Sequence, residues 1–184
     1  MTTTETVLII LLIVAIVVIA GLAWKLFQRQ RSKKLRSQFG PEYDRAIAQY
    51  GEPTKAERDL EARQKRMQKV HIHSLTPVER ERFADRWQVI QSRFVDDPSG
   101  TIQGADELVT EIMGARGYPM VEFDGRAEDL SVDHPLVVNH YRTAHEIALR
   151  HEVGSASTED LRRAVVCYRE LFEELLERHL ASRS

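Results

Sequence analysis

The 184 residues hold a single cysteine, Cys167, which excludes an internal disulfide and fits a reducing compartment. Formal charge is −2, but it is unevenly spread. Residues 25–73 carry 13 Lys/Arg against 6 Asp/Glu, whereas residues 74–184 carry 13 Arg, no Lys and 21 Asp/Glu.

The first predicted element is Val7–Trp24, eighteen residues without a charge, thirteen of them Leu, Ile or Val. As a helix it spans about 27 Å, enough to cross a hydrocarbon core, and Leu26 and Phe27 can extend it to residues 7–27. A cleaved secretory signal is the rival, but Met1–Thr6 has no Lys or Arg and the apolar run is too long for a typical signal core. The N-terminal flank offers only Glu5, while the C-terminal flank offers Lys25, Arg29, Arg31, Lys33, Lys34 and Arg36. Such cations stay cytoplasmic, so the expected topology is a single pass through the cell membrane, N-terminus outside and body inside. The same six residues are the expected contact with anionic lipid headgroups. Nucleic acid is the poorer partner, because the basic run is pinned at the bilayer and lacks interleaved aromatics beyond Trp24 and Phe27.

Residues 28–73 read as a basic neck. Gly40-Pro41 opens a short helix that Gly51 and Pro53 end. Ala56–Val70 follows as a charged helix whose Ala56, Leu60, Met67 and Val70 make one narrow stripe, the pattern of a stalk or a single pairing seam. Residues 74–184 read as an acidic helical domain, which anionic lipid repels. Thr76-Pro77-Val78-Glu79 combines a capping box with proline at the first helical position, and Phe83, Trp87, Ile90 and Phe94 then mark one face. Asp97-Pro98 opens a second helix with Ile102, Ala105, Leu108 or Val109, and Ile112 inward; Gly117 stops it. Met120–Leu130 reads as an acidic connector of about two helical turns. A third core helix is expected over Pro135–Glu152, with Val137 or Val138, Tyr141, Ala144 and Ala148 inward. Ser157-Thr158-Glu159-Asp160 opens the last, striped by Leu161, Ala164, Val165, Tyr168, Leu171, Phe172 and Leu175. No segment alternates with period two. The expected fold is all-α: one transmembrane helix, a charged helical neck and a body like a four-helix bundle, or a related orthogonal packing.

The segments FGPEYDR (39–45), RFVDDP (93–98), ARGYP (115–119), LSVDHP (130–135) and STEDLRRAVVCYRELFEELL (157–176) together resemble an uncharacterised group of bacterial single-pass membrane proteins with a short N-terminal anchor and a helical cytosolic body. The resemblance covers the chain from about residue 35 onward. It implies the same layout and carries no activity and no catalytic residue.

Catalytic motifs fit poorly. His145-Glu146 is followed by His151 rather than by a histidine four residues after the first, and Leu149 stands in that place, so the zinc-protease helix is rejected. His71 and His73 flank Ile72 and face solvent or a partner. Asp96-Asp97-Pro98-Ser99-Gly100 has the wrong spacing for a calcium loop and the right one for a cap. There is no Gly-rich phosphate loop and no Gly-x-Ser-x-Gly elbow. Tyr118, Asp124, Glu128, Asp129, Asp133 and His134 form the candidate partner or cation surface, with a plain acidic loop as the alternative. No resident cofactor is expected. The leading expectation is a membrane-tethered interaction module for a protein partner, with no catalytic activity. A lipid- or small-ligand-binding bundle comes second, and a metal-dependent enzyme using the acidic connector third.

Overall fold

The computed structural model describes residues 3–181, with side chains from residue 11 to 176 apart from 14. The expected tail and anchor thus lie partly outside the described side chains. Among the described residues there are eight helices and no strand. The chain divides into two compact units after Gln38.

The described part of the first unit is one helix, α1 (Thr3–Phe39), whose last residue belongs to the second. Span and basic flank share one helix, because nothing between Val7 and Phe39 breaks it: there is no proline, and Gly21 is isolated. The part from Leu11 onward has a mean hydropathy of 2.3 over its best window, and it is long and apolar enough to cross a membrane. The six expected lipid-contact cations all lie on α1.

The second unit begins with α2 (Pro41–Tyr50) and α3 (Pro53–Met67), which pack on each other. This departs from the expected stalk: Ala56 and Leu60 are fully buried, and the compact unit starts at Phe39, inside the segment read as neck. A narrow stripe suffices here because α3 needs to cover only α2 on one side and α6 on the other.

The remaining helices are α4 (Pro77–Ser92), α5 (Pro98–Ala115), α6 (Phe123–Asp133), α7 (Val138–Glu152) and α8 (Thr158–Ala181). Their starts follow local chemistry. The Thr76 hydroxyl accepts from the Glu79 N–H while the Glu79 carboxylate accepts from the Thr76 N–H. Asp97 accepts from the Gly100 N–H, and Ser157 and Asp160 form a reciprocal pair at the head of α8. Gly117 ends α5 with φ +89°, a left-handed conformation suited to glycine.

The core is centred on α5 and α8. Helix α8 packs against α7 and α5, and α5 also against α4 and α7. Because α5 is covered on two sides, both Leu108 and Val109 are buried, not one of them. All seven stripe residues of α8 are buried. Helix α4 packs chiefly on α5, so Phe83 and Trp87 are buried while Ile90 and Phe94 are only half so. Trp87 stacks on Phe172 at 4.9 Å. The acidic connector is longer than expected: α6 has 11 residues and bridges α3 and α7. In turn α7 starts at Val138, not Pro135, because His134–Val137 form the turn that ends α6.

Candidate functional site

Helix α6 carries Asp124, Glu128, Asp129 and Asp133 of the residues singled out in the sequence, with His134 at its C-terminal end and Tyr118 ahead of it. Midway along it Glu128 and Asp129 meet the arginines of α3. Arg66 contacts Asp129 at 2.6 Å and Glu128 at 3.3 Å, and Arg63 contacts Glu128 at 3.4 Å. Burial works against the charge on Arg66, but its hydrogen bonds to Asp129 and Glu128 outweigh that and hold its pKa above the usual value. Behind this row Glu42 of α2 is buried, with Arg63 at 3.1 Å and the Arg142 guanidinium on both its oxygens at 2.6 and 2.8 Å. Bidentate geometry of this kind is the strongest form of ion pair. A cleft of about 410 Å³ opens beside it, lined by Arg45, Ala48, Gln49, Arg63, Asp124, Glu128 and Arg142. Asp124 therefore sits at the cleft mouth, apart from Asp133.

At the C-terminal end of α6, Tyr118 is buried and its hydroxyl donates to Asp133 at 3.2 Å. His134 is also buried, with Nδ1 2.9 Å from the Glu174 carboxylate of α8. The buried Arg116 donates to the Leu175 carbonyl at 2.9 Å. The His71–His73 segment closes over this corner: the His73 N–H donates to the Arg116 carbonyl at 2.9 Å. A Cβ on Gly117 would lie 2.6 Å from the His71 carbonyl oxygen. A recess of about 370 Å³ here is lined by Met67, Val70, Ile72, His73, Ser74, Arg116 and Asp133.

The expected contact surface is accordingly rearranged. Tyr118, Asp129 and His134 are buried, so they face the interior rather than a partner. The physical reason is that α6 packs between α3 and α7 instead of looping into solvent. Among the described residues no three His, Cys, Asp or Glu side chains converge so as to hold a metal ion.

Two features escaped the sequence. The Ser99 hydroxyl lies 2.6 Å from His151 Nε2, tying the first turn of α5 to the last turn of α7. The amide beside it, Gly100 N–H, is already taken by Asp97 at 2.8 Å, so it is no free donor to a developing oxyanion. His145 stacks on Phe123 at 3.6 Å, and burial lowers its pKa below the usual value. The second feature is a groove of about 480 Å³ between α4 and α8. It is lined by Pro77, Arg80, Glu81, Ala84, Phe172, Glu173 and Leu176. No signal in the sequence marks it, because its floor belongs to the same stripe that builds the core.

Comparison of the chain with family models, with curated proteins and with solved structures finds no match.

Proposed function

We propose that this chain is a membrane-tethered helical interaction module that binds a protein partner and catalyses nothing itself. The α4–α8 groove is the observation that carries this reading. Its floor is apolar, from Ala84, Phe172 and Leu176, and its rims carry both signs of charge, Arg80 and Glu81 on one side and Glu173 on the other. An amphipathic helix with apolar residues three and four apart, an acidic residue toward Arg80 and a basic one toward Glu173, matches that pattern. The body is a bundle-like packing of α4, α5, α7 and α8. Helix α1 crosses the cell membrane once, with its N-terminus outside and the body in the cytoplasm, as the six cations behind the span favour. Lys25, Arg29, Arg31, Lys33, Lys34 and Arg36 engage anionic headgroups, and nucleic acid is not a partner. This layout is that of the bacterial single-pass group the sequence resembles.

The test is proximity labelling in cells, with the label-generating tag at the C-terminus of the full-length chain. The groove-filling variant Ala84→Arg is run beside it, with Asp85→Arg as a neighbour outside the groove. The expected result is a small set of cytoplasmic neighbours lost in Ala84→Arg and kept in Asp85→Arg. Identical sets in all three sink the groove. Neighbours confined to the far side of the membrane overturn the topology, and an apolar lipid co-purifying with the unaltered chain alone would favour a ligand-binding bundle.

A further inference from the structure

Helices α2 and α3 are built differently from the rest of their unit. The buried apolar residues Tyr43, Ala46, Ala56 and Leu60, with Phe39 just ahead of α2, lie outside the main core cluster, which runs from Met67 to Leu175. Inside the hairpin Tyr43 donates to Glu57 at 2.9 Å and Arg63 reaches Glu42 at 3.1 Å. Charged pairs join it to α6 and α7, among them Glu42 with Arg142, Arg63 with Glu128, and Arg66 with Glu128 and Asp129. Only at the C-terminal end of α3 does an apolar side chain, Met67, enter the main core.

We propose that the α2–α3 hairpin is a strap that docks over α6 by charge and swings open as one piece about Met67, uncovering the acidic face of α6. The strap keeps its shape when open because its own contacts, Tyr43–Glu57 and Glu42–Arg63, travel with it. The docked state is held by groups that regain full hydration on opening, so it separates at lower cost than an apolar interface of the same size. The cleft beside Arg45, Arg63 and Arg142 lies along this seam, with residues of α2, α3, α6 and α7 all lining it. Once exposed, Asp124, Glu128 and Asp129 are an acidic row that a basic helix can occupy in place of α3. The strap is thus an autoinhibitory contact within one chain.

The experiment uses the full-length chain in lipid nanodiscs, with Cys167→Ala and spin labels at Lys65→Cys on α3 and Glu146→Cys on α7. A second pair, Asp85→Cys and Glu146→Cys, lies within the body. Pulsed electron resonance is recorded at low and at roughly 1 M salt, where charge pairs are screened to a few ångströms. Arg142→Met removes the body side of the main tie and leaves Glu42–Arg63 intact. The expected result is one short distance for Lys65–Glu146 at low salt. A second, longer distance should grow at least about tenfold in Arg142→Met, and also with salt in the unaltered chain, while Asp85–Glu146 stays constant. A Lys65–Glu146 distance unmoved by both changes overturns the strap, as does simultaneous broadening of both pairs. If Arg142→Met does not fold, the salt series on the unaltered chain decides alone.

Discussion

Arg142 on α7 grips Glu42 on α2, one hundred residues earlier in the chain, through two hydrogen bonds of 2.6 and 2.8 Å. With Arg63 on the same carboxylate, Glu42 is the point at which three helices are tied. Its removal leaves two guanidinium groups facing each other, Arg63 with only 3% of its side chain exposed. Arg63 keeps Asp59 at 2.7 Å and Glu128 at 3.4 Å, so Glu42→Ala should cost less than fully orphaning a buried charge, about 1–3 kcal/mol, measured by urea denaturation. A loss within 0.5 kcal/mol of zero, the range of a surface substitution, would show that the cluster is not buried in solution.

Gly117 allows the chain to turn from α5 into the Tyr118 corner. Gly117→Ala demands a left-handed alanine and drives its Cβ into the His71 carbonyl. The expected loss is about 1–3 kcal/mol, and His71–His73 should lose protection against hydrogen exchange before α5 itself does. Unchanged exchange in that segment would count against the corner as described.

Thr76→Ala should remove about 1 kcal/mol by deleting the cap of α4, read from the thermal midpoint. The same box has a pH signature. Hydrogen bonds from the Thr76 N–H and hydroxyl hold the Glu79 carboxyl below its usual 4.5, and the Ser157 pair does the same for Asp160 against 3.8. A lowered carboxyl pKa means the folded chain binds fewer protons than the unfolded one. Stability from both boxes is present above the ordinary values and lost as pH falls through the lowered ones. The acid limb of stability against pH should be shallower in Thr76→Ala than in the unaltered chain.

His145 marks the same acid limb, but nearer neutrality. Burial lowers its pKa below 6.5, so the folded state resists the proton that the unfolded state takes up. Its contribution is complete above 6.5 and declines as pH falls below it. His145→Gln should flatten stability between pH 7 and 5, and an unaltered slope there would place the sensitivity elsewhere.

Cys167 is buried, and burial raises its thiol pKa. Since the thiolate is the reactive form, a disulfide reagent at pH 8 should label the folded chain far more slowly than the urea-unfolded one. Equal rates would mean that α8 opens freely.

The helices of the body were legible because each start carries its own chemistry: a capping box at Thr76, Asp97-Pro98, and Ser157 with Asp160. The stripe on α8 was legible for the same reason, since spacing alone selects Leu161 through Leu175. What remained hidden was pairing over distance. Nothing local in Arg63 and Arg66 tells that they meet Glu128 and Asp129 more than sixty residues on, so α3 read as a stalk or a single pairing seam and α6 as a connector of about two turns. Tyr118 was open in the sequence because it follows a helix end; in the fold it is buried and its hydroxyl donates to the Asp133 carboxylate. The Ser99–His151 link and the α4–α8 groove depend on how helix ends converge, which periodicity does not encode.

The unbroken course of α1 has a mechanical consequence. From Trp24 to Phe39 the helix continues for about 22 Å at 1.5 Å per residue, with no hinge along it. Single spans tilt by about 20° to fit the bilayer they occupy, more in thin membranes and less in thick ones. Were α1 seated in a bilayer, a 20° lean would displace its basic end sideways by about 7 Å. A change in bilayer thickness would then shift where Arg29, Arg31, Lys33, Lys34 and Arg36 stand against the headgroups.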